Sequence, residues 1–154
     1  MAKKPEHMTH LYGDTLVSKC HTRIIFRGKL DSLVAQVMLI QCDVASAGAD
    51  PALLADLQEI QDVLQELMRA EVLEQPLERG ALFGLTMDQL RAESHALYPP
   101  VPRPGRAYVL LNVLRTAVRE TELAAVVAFG AARPDLVLAL NRLSSAVYVL
   151  MYRA

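Results

Sequence analysis

The sequence has few features of a secreted or membrane-spanning protein. Its two cysteines, Cys20 and Cys42, lack CxxC spacing, and no apolar run follows the lysines of the opening MAKKPEHMTH. We therefore expect reduced thiols and no signal peptide. No stretch approaches the run of about 18 apolar residues that a transmembrane helix needs. These absences predict a cytoplasmic protein that has no membrane partner.

The sequence also lacks an excess of charge of either sign. Its 16 Lys and Arg balance 17 Asp and Glu, which gives a formal net charge of −1. Such a protein does not attract nucleic acid or anionic membranes by bulk charge, so no nucleic-acid partner is expected. An anionic ligand must instead be held by a local cluster of arginines or lysines. The 154 residues, 53% apolar and 21% charged, are typical of a single globular domain.

Standard nucleotide-binding and catalytic motifs are missing as well. The sequence contains no P-loop, no Rossmann glycine set, no GxSxG and no HExxH. His7, His10 and His21 do not have the spacing of metal ligands, so a structural or surface role is favoured for them.

Helical periodicity is the main signal that is present. Apolar residues recur at three- and four-residue steps from Gly28 onwards. The proline-rich YPPVPRPG, residues 98–105, cannot be helical and is predicted to be an extended loop. Residues 1–27 are polar and irregular, and no window alternates for long enough to predict a strand. The predicted helices run from Gly28 to the SAGADP stretch, from a cap at Asp50 to before Pro76, from a capping box at Thr86 and Gln89, from about Arg106 to Phe129, and from about Pro134 towards the C-terminus.

These elements predict an all-α fold. Four long helices and one short helix with short connections favour a five-helix, up-and-down bundle. We assign residues 1–27 to a flexible N-terminal arm and residues 28–154 to the helical-bundle domain.

The segment LLNVLRTAVRETE, residues 110–122, carries a polar stripe. At about 100° per residue, Asn112, Arg115, Arg119 and Glu122 fall within an arc of about 80°. The spacing alone favours a solvent-exposed face on which Arg119 and Glu122 pair. The aliphatic residues around the patch are more typical of a pocket wall, where two guanidinium groups are suited to phosphate oxygens.

A second polar stripe, which includes Asn141 and Tyr148, lies in LNRLSSAVYVLMY near the C-terminus. Arg142 lies about 100° from Asn141 around the helix, so the two are predicted to face different ways. The second stripe can also be interpreted as an ordinary polar edge of a bundle helix that binds no ligand. Asp31, in GKLDSL, lies at the border of the first apolar face, where a carboxylate needs an arginine partner or water.

Six segments, taken in order, resemble the ATP:cob(I)alamin adenosyltransferases, and within them the ethanolamine-utilisation branch. They cover nearly the whole chain: THLYGDTLVSK, FRGKLDSL, LMRAEVLEQPL, GLTMDQLRAESH, LLNVLRTAVRETE and RPDLVLALNRLSSAVYVLM. The resemblance implies a cobalamin adenosyltransferase-like five-helix bundle, usually a homotrimer, with ATP and the corrinoid bound between neighbouring subunits. The implied enzyme transfers the 5′-deoxyadenosyl group of ATP to cob(I)alamin, and forms adenosylcobalamin and a tripolyphosphate product.

The resemblance also implies roles for individual residues. Arg119 would hold the ATP phosphates, and Arg115 would pair with Asp31 across the subunit interface. The N-terminal arm, residues 1–27, would order over the nucleotide. The implied catalytic residues are Arg115, Arg119 and Glu122; the implied ATP contacts are Thr9, Ser18, Lys19, Arg119, Glu122 and Asn141; and the expected corrinoid contacts are Tyr98 and Tyr148.

The sequence departs from the family pattern at two places that bear on the site. The glycine-rich opening of the propanediol-type members is absent, and only THLYGDT stands near it. The phenylalanine that helps displace the lower ligand of the corrinoid corresponds to Pro99, beside Tyr98. The adenosyltransferase is the leading hypothesis, and these departures add weight to the alternative, a non-catalytic corrinoid carrier or a trimeric interaction module.

The resemblance extends to metals and partners. Some ethanolamine-type members carry a cysteine-rich metal motif ahead of the region that this sequence covers. We therefore expect no metal bound by protein side chains, and only the Mg²⁺ that accompanies ATP. A B12-dependent ammonia-lyase is the expected client, with association to a microcompartment as an open alternative to a free cytoplasmic location.

Overall fold

The structure, a computed structural model, describes residues 3–99, 101 and 105–153. The described residues form five helices and two short hairpins. The helices are α1 (Thr22–Ser46), α2 (Pro51–Val72), α3 (Met87–Leu97), α4 (Arg106–Phe129) and α5 (Pro134–Arg153). The hairpins pair β1 (Met8–Tyr12) with β2 (Thr15–Ser18), and β3 (Ala81–Leu82) with β4 (Leu85–Thr86). The predicted all-α, five-helix bundle is confirmed.

The four long helices pack in antiparallel neighbouring pairs. α4 packs against α1 and α5, α2 also packs against α1 and α5, and the short α3 packs on α5. Side chains from opposite ends of the helices meet at each contact, as where Arg106 at the start of α4 pairs with Asp43 near the end of α1. Buried leucines, isoleucines, valines and alanines from all five helices form one continuous core. Within the described residues, no helix has the length and apolar character needed to cross a bilayer.

Several predicted boundaries are confirmed. Asp50 caps α2 by accepting a hydrogen bond from the backbone N–H of Ala52, with Pro51 at the first helical position. Thr86 and Gln89 form the predicted capping box of α3, at 2.9 and 3.1 Å. α4 and α5 begin and end where the periodicity placed them. The predicted extended loop, residues 98–105, falls partly outside the described residues, at positions 100 and 102–104.

The prediction for the start of the first helix was wrong by six residues. α1 begins at Thr22, where the His21 imidazole accepts a hydrogen bond from the N–H of Arg23. Phe26 is buried one turn before Leu30, so the apolar face extends further towards the N-terminus than the leucine pattern indicated. Gly28 lies exposed within the helix and does not mark its beginning.

The prediction of an irregular segment before α1 was also wrong in part. β1 and β2 form an antiparallel hairpin, with Met8 opposite Ser18, that turns at Gly13. Gly13 has φ +51°, a left-handed conformation that glycine adopts at low cost. The strands are only five and four residues long and contain a register shift, so their alternation is too short to stand out in the sequence. The assignment of residues 1–27 to a nucleotide-binding arm stays a prediction.

A buried carboxylate joins the start of α1 to the end of α2. Glu71, with its side chain 1% exposed, accepts hydrogen bonds from Arg23 Nε at 2.8 Å and Arg27 Nε at 2.6 Å. The Arg23 guanidinium also lies 5.7 Å from the ring centroid of Tyr12 and 5.6 Å from that of Phe129. One arginine therefore links the first hairpin, α1, α2 and the end of α4.

We expect Glu71→Ala to lower the free energy of unfolding by about 3 kcal/mol, because it leaves two half-buried guanidinium groups without a carboxylate. Urea denaturation followed by far-UV circular dichroism measures this change. Glu120→Ala is the matched control, since the Glu120–Lys29 pair is exposed and 3.9 Å long; its effect should stay below about 0.5 kcal/mol. Equal losses in the two variants would contradict a special role for the buried carboxylate.

Candidate active site

A cavity of about 540 Å³ lies between α3, α4 and α5. Its lining is rich in basic side chains and contains no Asp or Glu. The lining residues are Arg91, Ser94, His95, Tyr98, Arg115, Arg119, Asn141, Arg142, Ser144, Ser145 and Tyr148. A wall that carries four guanidinium groups and no carboxylate is suited to an anionic ligand.

The cavity brings together five residues that the sequence singled out. Arg115 and Arg119 come from α4, Asn141 and Tyr148 from α5, and Tyr98 from the residue after α3. The two polar stripes therefore face one shared space, because α4 and α5 pack side by side. This arrangement differs from the alternative interpretation, in which each stripe is a separate solvent-exposed face.

Arg119 does not form the ion pair with Glu122 that helical spacing favoured. The Glu122 carboxylate instead accepts hydrogen bonds from Asn141 Nδ2, at 3.2 and 3.4 Å. Glu122 itself does not line the cavity. The Arg119 side chain is exposed and has neither a hydrogen bond nor an ion pair within the described part of the chain. It is a cation free to bind a ligand.

Arg115 is held in place on two sides. Its Nε donates a hydrogen bond to Asn112 Oδ1 at 3.0 Å, and its guanidinium lies 5.5 Å from the ring centroid of Tyr148. The Tyr148 hydroxyl donates a hydrogen bond to the carbonyl oxygen of Leu97, at 2.9 Å. Burial, together with a contact to the Tyr152 hydroxyl, raises the pKa of Tyr148 above its ordinary value, so the phenol stays protonated as this donor. Tyr148 thereby connects the end of α3 to Arg115 of α4.

The prediction that Arg142 and Asn141 face different ways was wrong. Arg142 Nη1 donates a hydrogen bond to Asn141 Oδ1 at 2.5 Å, and both residues line the cavity. A helical angle gives the direction of Cβ, whereas the long arginine side chain turns back over its neighbour. The Asn141 amide is consequently fixed at both ends, by Arg142 at its oxygen and by Glu122 at its nitrogen.

The hairpin residues that the sequence assigned to ATP do not line this cavity. Ser18 Oγ accepts a hydrogen bond from the N–H of Cys20, Lys19 is exposed, and Thr9 lies in β1. The hairpin contacts the bundle where Tyr12 stacks on Arg23, at the end at which α1 begins and α4 finishes.

The remaining predicted residue, Asp31, also lies outside the cavity. It is exposed on α1 and forms no ion pair within the described residues, so it does not contact Arg115 of the same chain. Its pairing with an arginine of a neighbouring subunit stays a prediction.

Sequence reasoning missed the contribution of α3. Ser94 and His95 lie three and four residues after Arg91 on the helix, and all three line the cavity. The signal was present in GLTMDQLRAESH as a polar face beside the buried Leu90, but nothing local indicates which helix that face meets. Within the described residues, no group of three or more His, Cys, Asp or Glu side chains is placed to hold a metal ion.

Comparison with known proteins gives consistent results. The family profile described as cobalamin adenosyltransferase matches residues 1–154. Two curated relatives carry the name corrinoid adenosyltransferase EutT: that of Salmonella typhimurium strain LT2 is 41% identical over 165 residues, and that of Escherichia coli strain K12 is 40% identical over the same length. Each match covers 98% of this chain, which spans 60% of the length of either relative. The resemblance to this family and to its ethanolamine-utilisation branch is confirmed.

We expect Tyr148→Phe to lower the free energy of unfolding by about 1 kcal/mol, because the ring remains but the hydrogen bond to Leu97 is lost. Chemical denaturation of the purified protein measures the change. Tyr12→Phe is the matched control, since its ring is 46% exposed; it should leave stability unchanged. A Tyr148→Phe protein as stable as this control would show that the hydroxyl does not hold α3 in place.

Proposed function

The chain belongs to the cobalamin adenosyltransferase family, and from that premise we propose that it transfers the 5′-deoxyadenosyl group of ATP to cob(I)alamin. The products are adenosylcobalamin and tripolyphosphate. The single observation that supports this activity most is the cavity in which Arg115, Arg119 and two further arginines meet without a carboxylate. An ATP:corrinoid transferase needs such a wall, because the triphosphate of ATP is both a ligand and the leaving group.

The proposed adenosyl transfer requires few chemical groups from the protein. Cobalt of cob(I)alamin attacks C5′ of ATP, the C5′–O bond breaks, and its electron pair stays on the departing triphosphate. Cob(I)alamin is itself a strong nucleophile, so the protein need not provide one. It must orient C5′ against cobalt, neutralise the leaving phosphates and keep water from the reduced metal. The arginines of the cavity are the groups that neutralise the leaving phosphates.

Each residue has a proposed task. Arg119, which has no partner in the described chain, binds the phosphates of ATP. Asn141 contacts ATP with an amide whose orientation Glu122 fixes. Tyr98, with its ring 68% exposed at the cavity, contacts the corrinoid. Tyr148, which is only 4% exposed, lies beneath the ligand as a support for Arg115.

The arm residues Thr9, Ser18 and Lys19 fit this proposal if they reach the cavity of another subunit. Exposed apolar side chains on α1 and α4 support association with a further subunit, and the family resemblance implies that the oligomer is a homotrimer. Leu39 of α1 is 66% exposed, and Leu123 and Val127 of α4 are 66% and 71% exposed. In such a trimer, Asp31 of one subunit pairs with Arg115 of the next.

The remaining assignments concern the metal ion that accompanies ATP, the location of the protein in the cell, and the enzyme that uses the adenosylcobalamin. Mg²⁺ accompanies ATP and is held by phosphate oxygens and water, because no lining residue of the cavity is acidic. The names of the relatives support a role in ethanolamine utilisation, with a B12-dependent ammonia-lyase as client, in the cytoplasm or in a microcompartment. A non-catalytic corrinoid carrier or trimeric interaction module is not favoured, because neither needs the arginines of the cavity to be free.

We expect Arg119→Gln to lower kcat/KM for ATP by about 100-fold, since it removes a cation from the departing phosphates. The assay supplies ATP, Mg²⁺ and chemically reduced cobalamin under strict anaerobiosis and follows the spectrum of the adenosylated product. Arg69→Gln is the matched control, because Arg69 is exposed on α2 and lies outside this cavity. A wild-type protein that forms no adenosylcobalamin would exclude the proposed activity, and equal activity in both variants would exclude the role of Arg119.

Subunit mixing tests the proposed Asp31–Arg115 pair. We expect Asp31→Ala and Arg115→Ala each to lose most activity, and a 1:1 co-assembled mixture to regain about a quarter of it. That fraction corresponds to the interfaces that join an intact Asp31 to an intact Arg115 under random assembly. A pair within one chain regains nothing on mixing, because every chain then lacks one partner. Analytical ultracentrifugation confirms that the mixed oligomers form.

A further inference from the structure

The arginines of the described chain divide into two groups. Six of the eleven form ion pairs with carboxylates: Arg23, Arg27, Arg79, Arg106, Arg133 and Arg153. Of the five that form no ion pair with a described carboxylate, four line the one cavity between α3, α4 and α5: Arg91, Arg115, Arg119 and Arg142. The fifth, Arg69, is exposed on α2. With Arg115 paired to Asp31 of a neighbouring subunit, as proposed above, three unpaired cations remain in this cavity. Such neighbouring cations repel each other, so their convergence indicates a multiply charged anion as the ligand.

Two basic groups of this cavity belong to α3, in the segment GLTMDQLRAESH, for which the sequence predicted no ligand. Arg91 and His95 lie one helical turn apart, both are exposed, and neither side chain has a partner in the described part of the protein. Between them, the buried Ser94 donates a hydrogen bond to the carbonyl oxygen of Arg91 at 2.9 Å.

The position of α3 against the cavity is fixed. Leu90 is fully buried, and Tyr148 of α5 binds the carbonyl oxygen of Leu97 at the end of the helix. Arg91 and His95 are therefore presented to the ligand from a rigid element and do not depend on a loop for their placement.

We propose that Arg91 and His95 form a second wall of the phosphate site, which binds the polyphosphate chain from α3 while Arg119 and Arg142 bind it from α4 and α5. The inference rests on the proposed function, which identifies the anion as the triphosphate of ATP. A tripolyphosphate carries several negative charges along its length, and guanidinium groups from three helices match that distribution better than one pair of arginines does. His95 adds a ring N–H donor one turn from Arg91.

Phosphate chemistry could reach this wall from a second source, the single phosphodiester in the nucleotide loop of a complete corrinoid. The number of unpaired guanidinium groups favours the polyphosphate. Two comparisons of binding affinity distinguish the sources. The first compares inorganic tripolyphosphate with adenosine, and the second compares cobalamin with a corrinoid that lacks the nucleotide loop.

Calorimetry on the full chain measures binding of inorganic tripolyphosphate without any corrinoid. We expect Arg91→Gln to weaken this binding about tenfold, and His95→Ala to weaken it by a smaller factor, with adenosine binding unchanged. Arg69→Gln is the matched control and should bind tripolyphosphate as the wild type does. Far-UV circular dichroism verifies that each variant is folded, which is expected because both α3 side chains are exposed.

Three results overturn the inference. They are a wild type that does not bind tripolyphosphate, an Arg91→Gln protein that binds it like Arg69→Gln, and a defect confined to corrinoids that carry the nucleotide loop. The adenosylation assay separates this inference from the proposed function. If tripolyphosphate binding depends on Arg91 but no adenosylcobalamin forms, the results support the phosphate site on α3 and exclude the proposed activity. If adenosylcobalamin forms but the Arg91 substitution does not change the affinity for tripolyphosphate, the results support the proposed activity and exclude the phosphate site on α3.

Discussion

The register between α4 and α5 determines where the arginines of the cavity meet. Two contacts fix it: Glu122 accepts hydrogen bonds from Asn141, and Arg115 stacks on Tyr148. The partners are seven residues apart on each helix, so both contacts belong to one antiparallel alignment. A slip by one turn, about 5.4 Å, would separate both pairs and move the two polar stripes out of a common space. The cavity is thus a consequence of helix packing, which the buried leucines of both helices stabilise.

Charge is distributed over the bundle according to a second constraint. At both ends, arginines are neutralised by carboxylates, as where Glu71 joins α1 to α2 and Asp43 binds Arg106. In the cavity, guanidinium groups are instead oriented by neutral partners, Asn112 and the Tyr148 ring for Arg115, and Asn141 for Arg142. Only Arg115 has a proposed carboxylate partner, Asp31 of a neighbouring subunit; for Arg142, a neutral partner fixes the geometry and leaves the positive charge uncompensated. Such groups stabilise an anion without first giving up an ion pair, which is the condition for electrostatic preorganisation.

The sequence predicted those parts of the molecule that depend on local chemistry. The Asp50 and Thr86 caps and the bounds of α4 and α5 follow from hydrogen bonds and apolar spacing within a few residues, and the structure confirms them. The first hairpin was missed because its strands are too short to show alternation. The wall from α3 was missed because it depends on which helices become neighbours. The orientation of Arg142 was predicted wrongly because a flexible side chain does not follow the angle of its Cα–Cβ bond.

The hairpin residues with a proposed role in ATP binding lie outside the cavity, so the hairpin and the cavity must be brought together to form one site. The hairpin with Thr9 and Ser18 is tied by Arg23 and Tyr12 to the end of the bundle where α1 begins, whereas Arg119 lies in the middle of α4. Because the buried Glu71 holds Arg23 in place, moving the hairpin within its own chain would remove the Tyr12 ring from the Arg23 guanidinium. Contact between the hairpin and a cavity is less costly if a second chain presents the cavity. This constraint supports the proposal that the nucleotide site is shared between two subunits.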